Sequence, residues 1–315
     1  MPRLVPSDVH TDQYLTTVSI AFMNPEANYI ADKVCPIITV TNETDRYATY
    51  TQADFARKEV QKIADGDPAP RSGFGVSYGS YSCDEHAIAM ALGPRTISNS
   101  DSVFRLETSA AMWVADQLLI EREYAVSTTI FSATNFTNTA AVTTQWDLAA
   151  GDPVSDIMAA MDKVEDQTTG RSANTIVMGI AVWREVARNP NVMTFMFGAG
   201  GNGPQIVTPL LFENFLSGYV GHPVKIHVGR AVYNTEKEGG TAVPTKMWGK
   251  NCWVGFVPSA PSMMTPAAAY IFRSQYEVRK YNEQLTKSTV VEGREIYAVE
   301  VVSAACAYYL TACVA

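Results

Sequence analysis

The sequence has little of what marks several large classes of protein. Its 315 residues contain no run of about 18 apolar residues, so it predicts no membrane-spanning helix. The first residues lack the apolar stretch of a secretory signal, and we expect none. Lysine and arginine never cluster, and the net charge of −8 argues against a surface built to bind nucleic-acid phosphates.

Cysteine is scarce and scattered. The five cysteines are Cys35, Cys83, Cys252, Cys306 and Cys313. An odd number without close pairs excludes both a disulfide framework and a structural zinc site, which needs paired ligands at short spacing. The sequence therefore predicts buried, reduced thiols in a cytosolic protein.

Signatures of catalysis are also missing. No nucleophile elbow, zinc-protease motif or supported Cys–His pair occurs. Residues 198–203 match the glycine pattern of dinucleotide-binding loops, but Pro204 follows directly and no buried strand precedes them, so we expect a flexible loop. Asp84, Glu85 and His86 offer too few ligands for a metal and predict a solvated strand face. We expect no catalytic residue, cofactor or metal.

One long helix is predicted over residues 101–131, with Ser100 or Asp101 as its N-cap. About 30 residues without Pro or Gly would span roughly 45 Å. Helical spacing groups its residues into an apolar and a polar stripe, and further aromatic residues widen the apolar one, so we expect the helix to be covered on more than one side. The apolar stripe is Val103, Leu106, Ala110, Val114, Leu118 and Ala125; the polar stripe is Arg105, Ser109, Asp116, Glu123 and Ser127.

A long hairpin precedes this helix. Residues 46–51 and 73–92 predict its two strands, and the breaker-rich segment 66–70 interrupts a polar tip. Two strands alone are marginal in water, so the hairpin must lie either on its own domain or on another subunit.

The remainder predicts a compact mixed α/β unit followed by strands. Gly293 is expected to mark a bulge in the late hairpin, which is the natural cover for the long helix. The predicted helices are 152–170, 181–188 (ending before Pro190) and 208–215 (ending before Gly218); the predicted strands are 174–179, 223–233, 246–257, 269–280, 288–302 and 307–314.

This order of segments resembles the major capsid proteins of tailed phages. The entry at residues 29–36 (YIADKVCP), the strand 37–40, and then Tyr47 and Tyr50 are similar to that family's passage from N-terminal arm to hairpin. The long helix and residues 292–294 are similar to its peripheral domain.

The resemblance implies an α+β capsid fold, with extended elements lying across neighbouring copies in a closed shell. We expect the compact unit to meet its symmetry mates through residues 198–203 or 236–243. The implied assembly contacts are Tyr47, Tyr50, Phe55, Tyr78, Tyr81, Gly198 and Gly203. The implied divisions are 1–41 arm, 42–92 hairpin loop, 93–150 spine helix, 151–267 axial domain, 268–302 peripheral strands and 303–315 a strand returning to the axial domain.

The resemblance also implies partners. These are copies of the chain in hexamers and pentamers, a separate scaffolding protein, a portal, and enclosed double-stranded DNA bound without sequence specificity, with no membrane contact. The implied location of the protein is the virion capsid, which is assembled in the host cytoplasm. Two alternatives stay open: an encapsulin-like shell enclosing a cargo enzyme, and a soluble α+β enzyme using Asp84, Glu85 and His86.

Overall fold

The computed structural model describes residues 24–50, 52–66, 68–100, 106–136, 138–198, 206–236, 239–261, 265 and 267–315. The architecture is mixed α and β, as predicted, with two main sheets and one long helix. All five cysteines are buried free thiols, also as predicted.

The long helix is confirmed over most of its length. Helix α4 runs from Leu106 to Ile130, and residues 101–105 lie outside the described part of the chain. A short helix that the sequence analysis missed, α3, precedes it, because Pro94 takes the first helical position, where its missing N–H is harmless. Ser100 ends α3, and its hydroxyl donates to the carbonyl of Ile97 at 2.7 Å; the predicted start of the long helix at Asp101 lies outside the described residues. Helix α3 is Pro94–Asn99.

A four-stranded sheet covers one side of α4. Its strand order is β1-β11-β12-β4, with β1 parallel to β11 and the other neighbours antiparallel. Ile88 and Met90 lie on the helix side of β4, and Leu92 is buried there, as the alternation predicted. The strands are β1 Ile37–Thr39, β4 Asp84–Leu92, β11 Ala269–Glu283 and β12 Ser288–Val301.

Gly293 does not mark a bulge, contrary to prediction. The register of β11 with β12 runs unbroken through Gly293 and shifts instead between Arg273 and Gln275. Gly293 faces α4, where an added Cβ would overlap Val114 and lie 2.9 Å from the Leu118 side chain. Glycine is therefore required here because helix and sheet approach closely, not because the backbone bends.

A second, five-stranded sheet has the order β5-β13-β10-β6-β7 and packs against helices on its flanks. The Asp152 side chain accepts the N–H of Ser155, so it is the predicted N-cap of α5. The strands are β5 Thr139–Ala141, β6 Thr175–Gly179, β7 Lys225–Gly229, β10 Cys252–Gly255 and β13 Ala307–Thr311; the helices are α5 Pro153–Gln167, α6 Ile180–Val186, α7 Pro190–Phe197 and α8 Pro209–Val220.

Several boundaries in this part differ from prediction. Pro190 starts a helix, α7, rather than only ending one, because the Asn189 side chain caps it. Helix α8 continues through Gly218 and ends at Gly221, whose φ of 78° suits glycine. The predicted strands 223–233 and 246–257 are each interrupted, and a small ribbon of β8 Val232–Asn234 and β9 Pro244–Lys246 forms between them.

The hairpin is shorter than predicted. Strand β2 (Thr44–Thr49) pairs antiparallel with β3 (Ser77–Ser82), which gives a ribbon of roughly 20 Å, whereas the second strand was predicted over 73–92. The predicted returning strand divides at Cys83, after which β4 joins the four-stranded sheet. Two short helices flank the ribbon, α1 (Ala31–Val34) in the arm and α2 (Gln52–Phe55) in the tip.

We predict that Gly293→Ala destabilises the isolated subunit by about 1–3 kcal/mol, because the methyl group overpacks the contact between α4 and β12. Gly218→Ala is the matched control. Nothing lies within 4 Å of the added Cβ there, and alanine favours a helix interior by about 0.5–1 kcal/mol. Urea unfolding should show a lower free energy of unfolding for Gly293→Ala and a higher one for Gly218→Ala. An unchanged free energy of unfolding in Gly293→Ala would refute the close packing.

Candidate assembly surfaces

Two tyrosines anchor the base of the ribbon to its own chain. Tyr81 stacks on Phe272 at 4.4 Å between ring centroids, and Tyr47 stacks on the same ring at 5.6 Å. Tyr81 is buried, and its hydroxyl donates to the carbonyl of Asn42 at 3.2 Å. The structure therefore places both side chains within the chain's own packing, whereas the sequence suggested them as contacts with other copies.

The tip of the hairpin carries an aromatic cluster that its own chain leaves half exposed. The rings of Tyr50, Phe55 and Phe74 lie 5.3–5.9 Å apart, and the Asp54 carboxylate accepts the N–H of Gly75 across the tip. Phe55 is 52% exposed and Phe74 55%. Clustered, half-exposed aromatic side chains of this kind are typical of protein–protein contacts.

Tyr78 projects from β3 with 68% of its surface exposed. Between the ribbon and the four-stranded sheet lies a groove of about 850 Å³. Tyr50 and Phe55 line it from the hairpin, and Tyr270 and Phe272 from the sheet. Of the predicted contact residues, Phe55 and Tyr78 are exposed to solvent and Tyr50 lines the groove.

The predicted central tip is only partly described. Gly198 ends α7 with a φ of 78°, which suits a glycine after a helix. Gly203 lies within 199–205, outside the described residues. In the alternative tip, the Asn234 side chain accepts the N–H groups of Glu236 and Val243, which closes the loop.

Comparison with solved structures gives a consistent result over nearly the whole chain. A phage-related protein from Bordetella bronchiseptica matches 92% of this chain and 94% of its own at a TM-score of 0.69 and 15% identity. The mature capsid of bacteriophage PhiM1 matches with 96% and 92% coverage, TM-score 0.61 and 12% identity. The capsid of cyanophage P-SCSP1u matches with 96% and 93% coverage, TM-score 0.60 and 11% identity. This chain has the tailed-phage capsid fold. No family profile matches the sequence, and no curated protein is similar to it.

In this fold, side chains of the predicted polar stripe of helix α4 hold the N-terminal segment that precedes β1. Glu123 is fully buried, and its carboxylate accepts the N–H groups of Ile30 (3.0 Å) and Ala31 (2.8 Å) and the indole N–H of Trp248 (2.5 Å). About two turns earlier on the helix, Asp116 accepts the hydroxyl of Tyr29 at 2.7 Å. The Glu123 side chain thus joins the arm, the spine helix and the loop before β10.

Arg122, the neighbour of Glu123, is also buried but points to other partners. Its guanidinium donates to Glu295 of β12 at 2.7 Å and to Asp32 of the arm at 3.0 Å. Arg273 lies 3.6 Å from the same Glu295 carboxylate. The sequence carried no signal for this network, because charged residues on a helix are usually exposed.

The residues of the enzyme alternative are not brought together as a site. The Glu85 carboxylate pairs with Arg294, while the His86 ring stacks on Tyr297 and lies 3.7 Å from Glu121. Among the described residues, no group of three His, Cys, Asp or Glu side chains could hold a metal ion. In the same part of the chain no helix is long and apolar enough to cross a membrane.

We predict that Glu123→Ala lowers the free energy of unfolding of the isolated subunit by at least about 3 kcal/mol. It removes the acceptor for three buried donors, each of which costs about 1–3 kcal/mol when unsatisfied. Glu121→Ala, two positions away on the same helix but exposed, should cost less than about 1 kcal/mol. Equal losses in the two variants, measured by urea unfolding, would contradict this account.

The Glu123 carboxyl group also predicts that the free energy of unfolding depends on pH. Burial raises the pKa of Glu123, more than its hydrogen bonds from Ile30, Trp248 and Ala31 lower it. A group whose pKa is higher in the folded than in the unfolded state binds its proton more tightly when folded. Its contribution to stability is therefore complete at a pH below the unfolded-state pKa and is lost as the pH rises through the folded-state pKa. Urea unfolding from pH 4 to 8 should therefore show the wild-type chain losing stability relative to Glu123→Gln as pH rises; a constant difference would disagree.

Proposed function

We propose that this chain is a structural subunit that self-assembles into the icosahedral shell of a double-stranded DNA phage. The observation that carries the proposal is the hairpin. Its ribbon and aromatic tip expose Phe55, Phe74 and Tyr78 although the rest of the chain has well-packed cores. A surface of this kind is stabilised by lying on another copy.

The finer features belong to the same proposal. Copies would form hexamers and pentamers with the axial domain, 151–267, at their centre and residues 198–203 or 236–243 at its tip. A separate scaffolding protein and a portal would take part in assembly in the host cytoplasm, and the shell would become the virion capsid. The net charge of −8 supports a wall that does not trap DNA during packaging. The role is structural, without catalysis.

The test is the size and content of the particles. Purified protein, alone and with a candidate scaffolding protein, should give closed shells tens of nanometres across in negative-stain microscopy and light scattering. A chain that stays monomeric under both conditions would refute the proposal. Mass spectrometry of shell contents separates the alternatives: an enclosed, copurified enzyme would favour a cargo compartment over a phage capsid.

We predict that the double variant Phe55→Ser/Phe74→Ser abolishes or strongly reduces shell formation while the subunit stays folded. Residues at the centre of an interface typically cost 2 kcal/mol or more when truncated, whereas both rings are half exposed in the single chain. Sedimentation measures assembly, and circular dichroism measures folding.

Leu148→Ser is the control for this prediction. Leu148 is equally exposed, at 52%, but lies in the loop before α5, far along the chain from the hairpin. Normal shells from Leu148→Ser and none from the tip variant support a specific contact. Normal shells from both would remove the hairpin tip from the proposed interface.

A further inference from the structure

Two of the buried cysteines meet in the five-stranded sheet, although they lie far apart along the chain. Cys252 is the first residue of β10, and Leu310 is its direct partner in the antiparallel register with β13. Strand β13 ends one residue after Leu310, and the chain turns at Ala312, whose φ of 55° is left-handed. Beyond this turn, the thiol of Cys313 donates to the carbonyl of Leu310 at 3.4 Å.

Both thiols therefore adjoin the same residue. Paired residues on antiparallel strands have Cβ atoms about 5 Å apart on one face of the sheet, which is the relation of Cys252 to Leu310. Cys252 and Cys313 are each 0% exposed and belong to one buried cluster. A disulfide requires Cα atoms within about 7 Å of each other. Two cysteines that pack against one residue from β10 and from the end of β13 are in position to meet this requirement.

The surroundings of the two thiols keep them reduced in the folded chain. Burial, and then the nearby Cys313 thiol, raise the pKa of Cys252 well above its ordinary value. Burial also raises the pKa of Cys313, and a hydrogen bond from the main chain of Cys252 lowers it only in part. The thiolate is the reactive form of cysteine, so exchange with an oxidant awaits a local opening of the structure.

The end of the chain is the place where such an opening exposes one of the two thiols. After β13, main-chain contacts outside the strand pairing hold the last residues. The N–H of Trp146 donates to the carbonyl of Cys313 at 2.7 Å, and the N–H of Ala312 donates to the Asn251 side chain at 3.0 Å. Chain ends open locally at a lower free energy than strands inside a sheet.

We propose that Cys252 and Cys313 are a latent disulfide, which closes in oxidising surroundings and ties the end of the chain to β10. With oxidised glutathione as the oxidant, one cysteine thiolate attacks a glutathione sulfur, and the first glutathione leaves as a thiolate. The second cysteine thiolate then attacks the protein sulfur of this mixed disulfide and releases the second glutathione. The two protons of the cysteines end on the two glutathione thiols, so two protein thiols are oxidised and one glutathione disulfide is reduced.

The bond would stabilise the sheet, because β13 lies between β5 and β10 in the strand order. A disulfide that closes a long loop restricts the unfolded chain and so favours the folded one. Cytosolic reductants keep thiols reduced, whereas extracellular surroundings allow disulfides to persist. A shell that leaves its host would gain the bond after assembly. That consequence rests on the proposed function, but the bond itself does not.

The other three cysteines lie in other parts of the core. Cys35 and Cys306 belong to a second buried cluster, on the side of Trp253 rather than of Cys252. Cys83 belongs to a third, where its thiol donates to the carbonyl of Phe272 at 3.4 Å. Oxidation of the folded chain should therefore link one specific pair.

Mass spectrometry of the purified full-length chain tests the proposal. The folded protein is incubated with oxidised glutathione, its free thiols are blocked in denaturant, and the unreduced chain is digested. We expect the intact chain to lose the mass of two hydrogen atoms and to yield a peptide pair that is linked through Cys252 and Cys313 and separates on reduction. Five free thiols, glutathione on a single cysteine, or a link between any other two cysteines would overturn the proposal.

Thermal unfolding shows whether the native fold holds the pair in place. The Tm of the oxidised protein should be at least about 3 °C higher than that of the reduced protein, because the crosslink restricts the unfolded chain. An unchanged or lower Tm in a fully linked sample would mean that the bond forms only by distorting the sheet, and would overturn the inference.

Cys313→Ala and Cys306→Ala are the matched variants, since each removes one buried thiol at an end of β13. Oxidised Cys313→Ala should keep all its thiols free, whereas oxidised Cys306→Ala should form the same link as the wild type. Equal behaviour of the two variants contradicts the assignment, and the wild-type peptide map decides it even where a variant does not fold. None of these measurements requires shells, so their failure leaves the proposed function intact, and a chain that forms no shells leaves the bond to be judged on its own.

Discussion

The structure depends on two adjacent charged residues of the spine helix that are removed from water. A buried charge is costly unless it is fully paired, and breaking such a pair leaves its partner uncompensated. Main-chain donors of the arm and the Trp248 indole compensate the Glu123 carboxylate only in part, since burial still raises its pKa, and Arg122 is paired with Asp32 and Glu295. Arm, spine helix, four-stranded sheet and the loop before β10 therefore have one mutually consistent arrangement.

Because these contacts join residues far apart along the chain, only some parts of the fold could be predicted from the sequence. The long helix, the capped helix α5 after Asp152 and the late hairpin follow from local periodicity and capping, and each was predicted. The burial of Asp116 and Glu123 was not, since their partners are about 90 residues away along the chain. Gly293 was misassigned for the same reason: the need for glycine comes from Val114 on another element.

The candidate surface shows the same division. The sequence indicates aromatic residues in a hairpin with too little core, and the structure leaves Phe55 and Tyr78 exposed while Tyr50 lines the groove. The sequence could not distinguish these residues from Tyr47 and Tyr81. Those two differ because they stack on Phe272, which lies far along the chain. Alternation in a strand tells which side chains share a face, but not which face another element covers.

The distribution of packing bears on how the single chain stays separate before the proposed assembly. The buried clusters of the two sheets contain no residue of the hairpin tip. Beyond Arg273 no described strand pairs with the outer side of β11, and charged side chains there, Arg279 with Glu292 and Lys280 with Glu107, oppose indiscriminate strand pairing. A ribbon held out by the stacking of two tyrosines on Phe272 is then presented to a neighbour in a fixed direction. Selectivity in assembly would arise from this fixed presentation, because an edge that any strand could join would lead to aggregation instead of a closed shell.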